Sequence, residues 1–340
     1  MKKLNVLWLF LLSVLAVQAQ QKPHYTQYIL NNYILNPALT GIENYFDVKV
    51  SARDQWVGLN GAPRTTYLTM HGPIGKEDTK TTPTSFQIPG QNPRGEAYWE
   101  TYTPSKPHHG IGLIVLNDHT GNFNNFTADV TYAYHIGLTP TTNLAAGFGA
   151  GINHLYRDMS KTDFGDGVNV DPAQTSNNIS KIKPDLNAGL WLYSRDFFVG
   201  FSAQQIIPEA ITYGNNTAPV KGKSIPHLFA TAGYRFLLND DINALPSIMV
   251  KYVSGTPTNP QFDVNVKLQY LDLLWLGASY RLQDGYAAMV GLNVANTFNV
   301  GYSYDYTITP LNTTSKGTHE IIIGFLIGNR YGDTCPRNVW

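Results

Sequence analysis

Side chains in this chain alternate between apolar and polar in run after run, from Phe46 almost to the C-terminus. In one run Phe298, Val300, Tyr302, Tyr304 and Tyr306 alternate with Asn299, Gly301, Ser303 and Asp305. Successive side chains of a β-strand point to opposite faces, so such a segment carries one greasy face and one wet face. Phe262 to Tyr270 and Phe126 to His135 repeat the pattern. In Leu144 to Asn153 the second face is nearly bare, with Gly147, Gly149 and Gly151 on it, which suits a crowded interior or a close backbone approach.

These runs predict about fourteen strands of roughly 8–13 residues, near the length that a tilted strand needs to cross a bilayer. They fall at 46–57, 64–72, 109–117, 123–136, 143–155, 185–194, 197–206, 227–238, 245–253, 262–270, 273–281, 286–294, 296–307 and 318–327. An even number returns both ends of the strand series to one side, as in bacterial outer-membrane barrels. Short links, such as 137–142 and 194–196, alternate with links that include the longer 156–184 and 207–226. Tyr132, Tyr134, Tyr270, Tyr280, Tyr302 and Tyr304 fall toward strand ends, where an interfacial girdle would need them. The expected fold is therefore an all-β transmembrane antiparallel barrel with a periplasmic N-terminal segment. A soluble sandwich or propeller would explain the alternation, but not the interfacial Tyr residues.

Composition agrees with a membrane wall. Only 14% of residues are charged, against about 25% in ordinary soluble domains. The 24 Lys and Arg balance the 24 Asp and Glu, so no net charge draws the chain to nucleic acid. Lys2 and Lys3, the apolar stretch Leu4 to Val17 and the small-residue site before Gln20 read as an export signal. The expected organisation is a signal at 1–19, an N-terminal segment at 20–45, a barrel at 46–327 with an insertion at 73–108, and a periplasmic tail at 328–340. The insertion is rich in Pro, Thr and Lys and falls on the periplasmic side, which makes it either a flexible link or a partner-binding loop.

Candidate chemistry is sparse. His135 and Asp129 share a strand face, but six residues apart on an extended strand is roughly 20 Å, too far for a catalytic contact. The carboxylates of Asp163, Asp166 and Asp171 loosely resemble calcium spacing but lack the EF-hand positions. Cys335 is the only cysteine, so an internal disulfide is impossible. There is no Cys/His cluster for zinc, no phosphate-binding Gly-rich motif and no basic stripe. Thus no catalytic residue, metal ligand or cofactor site is predicted, and the protein is read as a non-enzyme.

Three blocks carry a family resemblance: Pro23–Tyr28, Asn36–Gly41 and Arg53–Pro63. Together they closely resemble the opening of the PorP/SprF family, outer-membrane barrels of the type IX secretion system in Bacteroidetes. Lys183-Pro184, Gly189–Tyr193, Phe198–Gly200, Gly317–Ile321 and the Cys335…Trp340 tail fit the same family. The 73–108 segment departs from it by its length. The resemblance implies a component of type IX secretion, and of gliding motility, in the cell outer membrane. It implies partners in outer-membrane lipid, in secreted cargo with a C-terminal secretion signal, and in periplasmic secretion or motility components.

The N-terminal block is expected to fold against the barrel mouth or to enter the lumen, with Gln55 and Trp56 nearby. The plug or partner candidates are His24, Tyr25, Gln27, Tyr28, Asn36, Pro37, Gln55 and Trp56. The alternative function is an outer-membrane channel or transporter for small or hydrophobic solutes, with Asp129, Asp263, Lys267 and Asp305 lining a wet pore.

Overall fold

The computed structural model describes residues 24–76, 102–158, 179–208, 210–213, 220–223, 225–254, 259–271, 273–294 and 297–329. The expected signal, most of the 73–108 insertion, the Asp163–Asp171 stretch, and Cys335 with most of the tail lie outside them. Strands β1 to β6 are Phe46–Asp54, Arg64–Ile74, His108–Thr120, Phe123–Thr139, Thr142–Arg157 and Ile179–Ser194. Next come β7 Phe197–Gln204, a separate hairpin of β8 Ala210–Tyr213 with β9 Val220–Lys223, β10 His227–Tyr234 and β11 Phe236–Asn239. The last six are β12 Ile242–Val253, β13 Gln261–Tyr270, β14 Leu274–Arg281, β15 Gly285–Val294, β16 Phe298–Thr307 and β17 Thr318–Ile327.

Within the wall all pairings are antiparallel and follow chain order, β7 pairing with β10 across the β8–β9 hairpin, and β1 closes onto β17 from Phe46↔Ile327 to Asp54↔His319. Strands β10 and β11 both pair with β12 and form one stave interrupted at Arg235, so the barrel has 14 staves. Closure satisfies the backbone N–H and C=O groups between strands, a condition that hydrocarbon imposes on any spanning β-structure. All fourteen expected runs are strands. Several extend past their expected ends, notably β6, which begins at Ile179, because β5 supplies ladder partners as far as Arg157.

The parity of the runs sets the two faces. Val130, Phe148, Leu190, Phe201, Val264, Leu276 and Ile321 stand exposed on the outside. In β16 Tyr302 and Tyr306 point outward while Asn299 and Ser303 are fully buried inside. The ends of β1, β5, β7 and β16 and the starts of β2, β6, β10 and β17 lie at one end, here the long-loop end. The other end carries the tight links 140–141, 195–196 and 240–241, together with the end of β2 and the starts of β1 and β3.

Candidate functional site

What fills the barrel is its own N-terminal segment. Tyr25 to Leu39 are buried, and the chain is folded into three short 3-10 turns, Gln27–Ile29, Asn32–Ile34 and Pro37–Leu39. Recurring Asn and Tyr, with Thr26, Ile29 and Ile34, give this stretch modest helix propensity, and Asn36-Pro37 enforces a new turn. The third turn is capped from within: the Asn36 side chain accepts the Ala38 N–H at 2.9 Å, and Pro37 sits at the first position.

Placement before β1 suggests a segment held at the β1 end, but the wall partners of residues 24–42 run the length of the lumen. At the long-loop end the His24 ring lies 3.4 Å from Lys251 Nζ and 3.3 Å from Gln261 Nε2. Thr26 and Gln27 donate backbone N–H groups to Glu320 Oε2 at 2.9 and 3.4 Å. Farther along, Asn31 donates to Thr69 Oγ1 at 3.0 Å, and Tyr33 shares a 2.5 Å hydrogen bond with Thr131. At the short-turn end the Gly41 N–H donates to His71 Nδ1 at 3.1 Å, and Lys76 Nζ donates to the Ile42 carbonyl at 3.0 Å.

Two kinds of wall residue hold the segment. The first is apolar. Ile29, Leu30, Ile34 and Leu35 pack with inward-facing Tyr67, Phe229, Met249, Trp275, Met289 and Ile322. Leu39 and Ile42 pack with Trp191, Tyr193, Phe198 and Leu245. Burying each such Leu or Ile contributes about 1.5–3 kcal/mol relative to leaving it in water.

The second is glycine. A Cβ on Gly147 would run into the backbone of Pro37 and Ala38, and one on Gly189 into the Asn36 carboxamide. Cβ atoms on Gly110 and Gly112 would meet the Thr40 carbonyl and the Tyr33 hydroxyl. The bare face of β5 is therefore the seat of the third turn. Across it, Asn36 Nδ2 donates to the Leu190 and Phe201 carbonyls at 3.0 and 3.2 Å.

A buried charge cluster fixes the long-loop end of the segment. Arg53 donates to Glu320 Oε2 at 3.0 Å, to Asp305 Oδ2 at 2.7 Å and to Thr26 Oγ1 at 2.8 Å. Glu320 is wholly buried and the Arg53 side chain nearly so, so the ion pair is shielded from the solvent that weakens surface pairs. The Thr26 hydroxyl donates in turn to Asp305 Oδ2 at 2.5 Å, so one residue of the segment joins the network through side chain and backbone.

The eight candidates divide into two groups. His24, Tyr25, Gln27, Tyr28, Asn36 and Pro37 all lie inside the barrel, where they contact the wall. Tyr28 accepts from Asn265 Nδ2 at 2.5 Å, and Tyr25 stands edge-on to Tyr67 with ring centroids 5.6 Å apart. Gln55 and Trp56 lie at the long-loop rim, in a small, partly open pocket lined also by Arg53, Arg281, Asp284 and Asp305. Trp56 adopts φ 51°, a left-handed conformation that is costly for a bulky residue. Its N–H donates to Thr318 Oγ1 at 3.1 Å, and Val57 and Lys316 bond through their backbones to join the 55–63 and 308–317 loops.

Asp129, Asp263 and Lys267 do face inward, but they are buried against the segment and its neighbours instead of lining open water. Asp129 accepts from Asn187 at 3.0 Å and Asp263 pairs with Arg281 at 3.2 Å. His135 faces inward too, with Nε2 2.8 Å from the Thr40 carbonyl and its ring stacked on His108. Arg53, Glu320, His71 and the glycine seat were not among the candidates. Their inward parity was readable, but their convergence on the segment needs the closed barrel.

No curated protein matches the chain. Among solved structures, the Acinetobacter baumannii outer membrane protein Omp33 is similar at 11% identity and TM-score 0.46, over 85% of this chain and 100% of that one. A Pseudomonas aeruginosa FadL homologue is similar at 10% identity and TM-score 0.45, over 89% and 94%. The CymD monoaromatic hydrocarbon channel is similar at 11% and 0.46, over 88% and 91%. At these levels the likeness describes barrel form only. Residues 17–325, which take in the lumen segment and nearly all the barrel, match the model of the type IX secretion system membrane protein PorP/SprF. The chain belongs to the PorP/SprF family of type IX secretion system membrane proteins.

Proposed function

We propose that this protein is a filled outer-membrane scaffold of the type IX system, which docks particular secreted or surface cargo and couples it to periplasmic components. Family membership supplies the secretion system, and the closed barrel with its apolar exterior supplies the outer membrane. The observation that carries the scaffold reading is the occupied lumen. Segment 24–45 packs an apolar core against the wall along its length. The gaps left between segment and wall are small, with pockets of about 20–30 Å³ each. A barrel so filled offers surfaces instead of a solute path. The docking surfaces are then the long loops on one side and the tight turns and 75–107 connection on the other.

A clean deletion, followed by proteomics of the secreted and surface fractions, tests this reading. Loss of a small set of cargo proteins that share a C-terminal secretion signal is expected, with restoration by the full chain. Unchanged secreted and surface fractions would overturn it. Gliding motility belongs to the same proposal and is read from colony spreading of that strain.

A further inference from the structure

The direction of the lumen segment has a topological consequence. Its wall partners descend in strict order: Thr26 with Arg53, Asn31 with Thr69, Gly41 with His71 and Ile42 with Lys76. Arg53 lies opposite Thr65 and Asp47 opposite His71 in the β1–β2 ladder, so these contacts follow β2 from its start to just past its end. Strand β2 has 11 residues. At about 3.3 Å per residue and a tilt of about 40°, that is about 28 Å, comparable with the roughly 25 Å apolar band of an outer-membrane barrel. Residues 24–42 therefore cross the whole membrane thickness inside the barrel, in the sense opposite to β1.

Two features make this crossing a fixed part of the fold. The Arg53–Glu320–Asp305 cluster grips Thr26 at the far end, and its members come from β1, β16 and β17, the strands that meet at the closing seam. The segment also precedes β1 in the chain, so it is present when β17 pairs with β1 and closes the wall around it.

We propose that residues 24–42 act as a threaded transmembrane strap, so that the chain enters the lumen at His24 from the long-loop, outer face of the membrane. The outer end of the strap is then His24, held beside Lys251 and Gln261 at the long-loop rim. It is joined covalently, through the lumen, to the periplasmic start of β1. A cargo protein at the outer face can reach both the rim and that end, whereas a periplasmic partner reaches neither.

This inference rests on the outer-membrane placement, and the test separates the two. In a Cys335→Ser background, single cysteines are placed at Lys22, at exposed Asn312 in the 308–317 loop, and at exposed Asp241 in a tight turn. Intact and permeabilised cells are treated with a membrane-impermeant maleimide, and total protein is measured by labelling after denaturation. Lys22→Cys is expected to label in intact cells together with Asn312→Cys, and Asp241→Cys only after permeabilisation. Labelling of Lys22→Cys in step with Asp241→Cys, whichever face that proves to be, would overturn the strap. If Asn312→Cys and Asp241→Cys exchange behaviour while Lys22→Cys still follows Asn312→Cys, the strap stands and the orientation of the barrel falls.

Discussion

Arg53 illustrates how one residue can hold two parts of a fold. Its side chain is 3% exposed and meets Glu320, Asp305 and the Thr26 hydroxyl. Removing it leaves one carboxylate wholly buried and another nearly so, without their counter-charge, and such truncations cost about 3–5 kcal/mol. Arg53→Ala is thus expected to lower the urea midpoint of the barrel in lipid vesicles and to open the N-terminal segment to protease. A combined Arg53→Met, Glu320→Leu, Asp305→Asn variant should lose much less, because the whole charge cluster is removed and no carboxylate is left unpaired. Equal losses in both would show that packing, and not charge, sets the effect. In the sequence Arg53 stands out only as part of the block that resembles the family; its inward parity follows from Asp47, Lys49 and Ser51. Its partners Asp305 and Glu320 are more than 250 residues away in the chain, and nothing local announces them.

Among the elements, the pairing of the third 3-10 turn with β5 and β6 is the most demanding. Close-packed interiors do not yield easily, and added atoms in a full site typically cost about 1–3 kcal/mol. Gly147→Val is expected to lift Pro37–Leu39 off the wall, reduce stability by about that amount, and speed amide exchange at Leu39 and Thr40. These amides bond within the segment, to the Asn36 and Pro37 carbonyls. Unaltered exchange there would argue that the turn is not seated on Gly147. The bare face of β5 was legible in the sequence as a place for a close approach. The identity of the occupant was not, because the glycines specify room and not what fills it. Strand positions were the easiest element to read, since a side-chain period of two sustained over a whole run belongs to extended backbone and not to a helix.

Across the whole molecule, the filled lumen decides between scaffold and open pore. The full chain in planar bilayers is expected to give no steady open-channel current. Removal of residues 24–41 should give one if the wall stays closed, since the wall also carries Thr127, Asn153, Asn265 and Gln269, which water can solvate. The same deletion should lower folding yield, because Trp275, Ile322 and Met289 lose their apolar cover. A large steady current from the intact chain would favour the solute channel over the scaffold.

By itself, the sequence determined the wall. Alternation fixed which residues face lipid, the count of runs fixed the number of staves, and both follow from backbone geometry that each strand carries locally. The three N-terminal blocks pointed to the family on their own. Only the tertiary structure decided what the wall encloses and in which direction residues 24–42 cross it. That direction depends on where Thr26, Asn31 and Gly41 find buried partners among strands far away in the chain. Such pairing is settled by closure of the barrel, since a segment of 3-10 turns has no period that tells inside from outside.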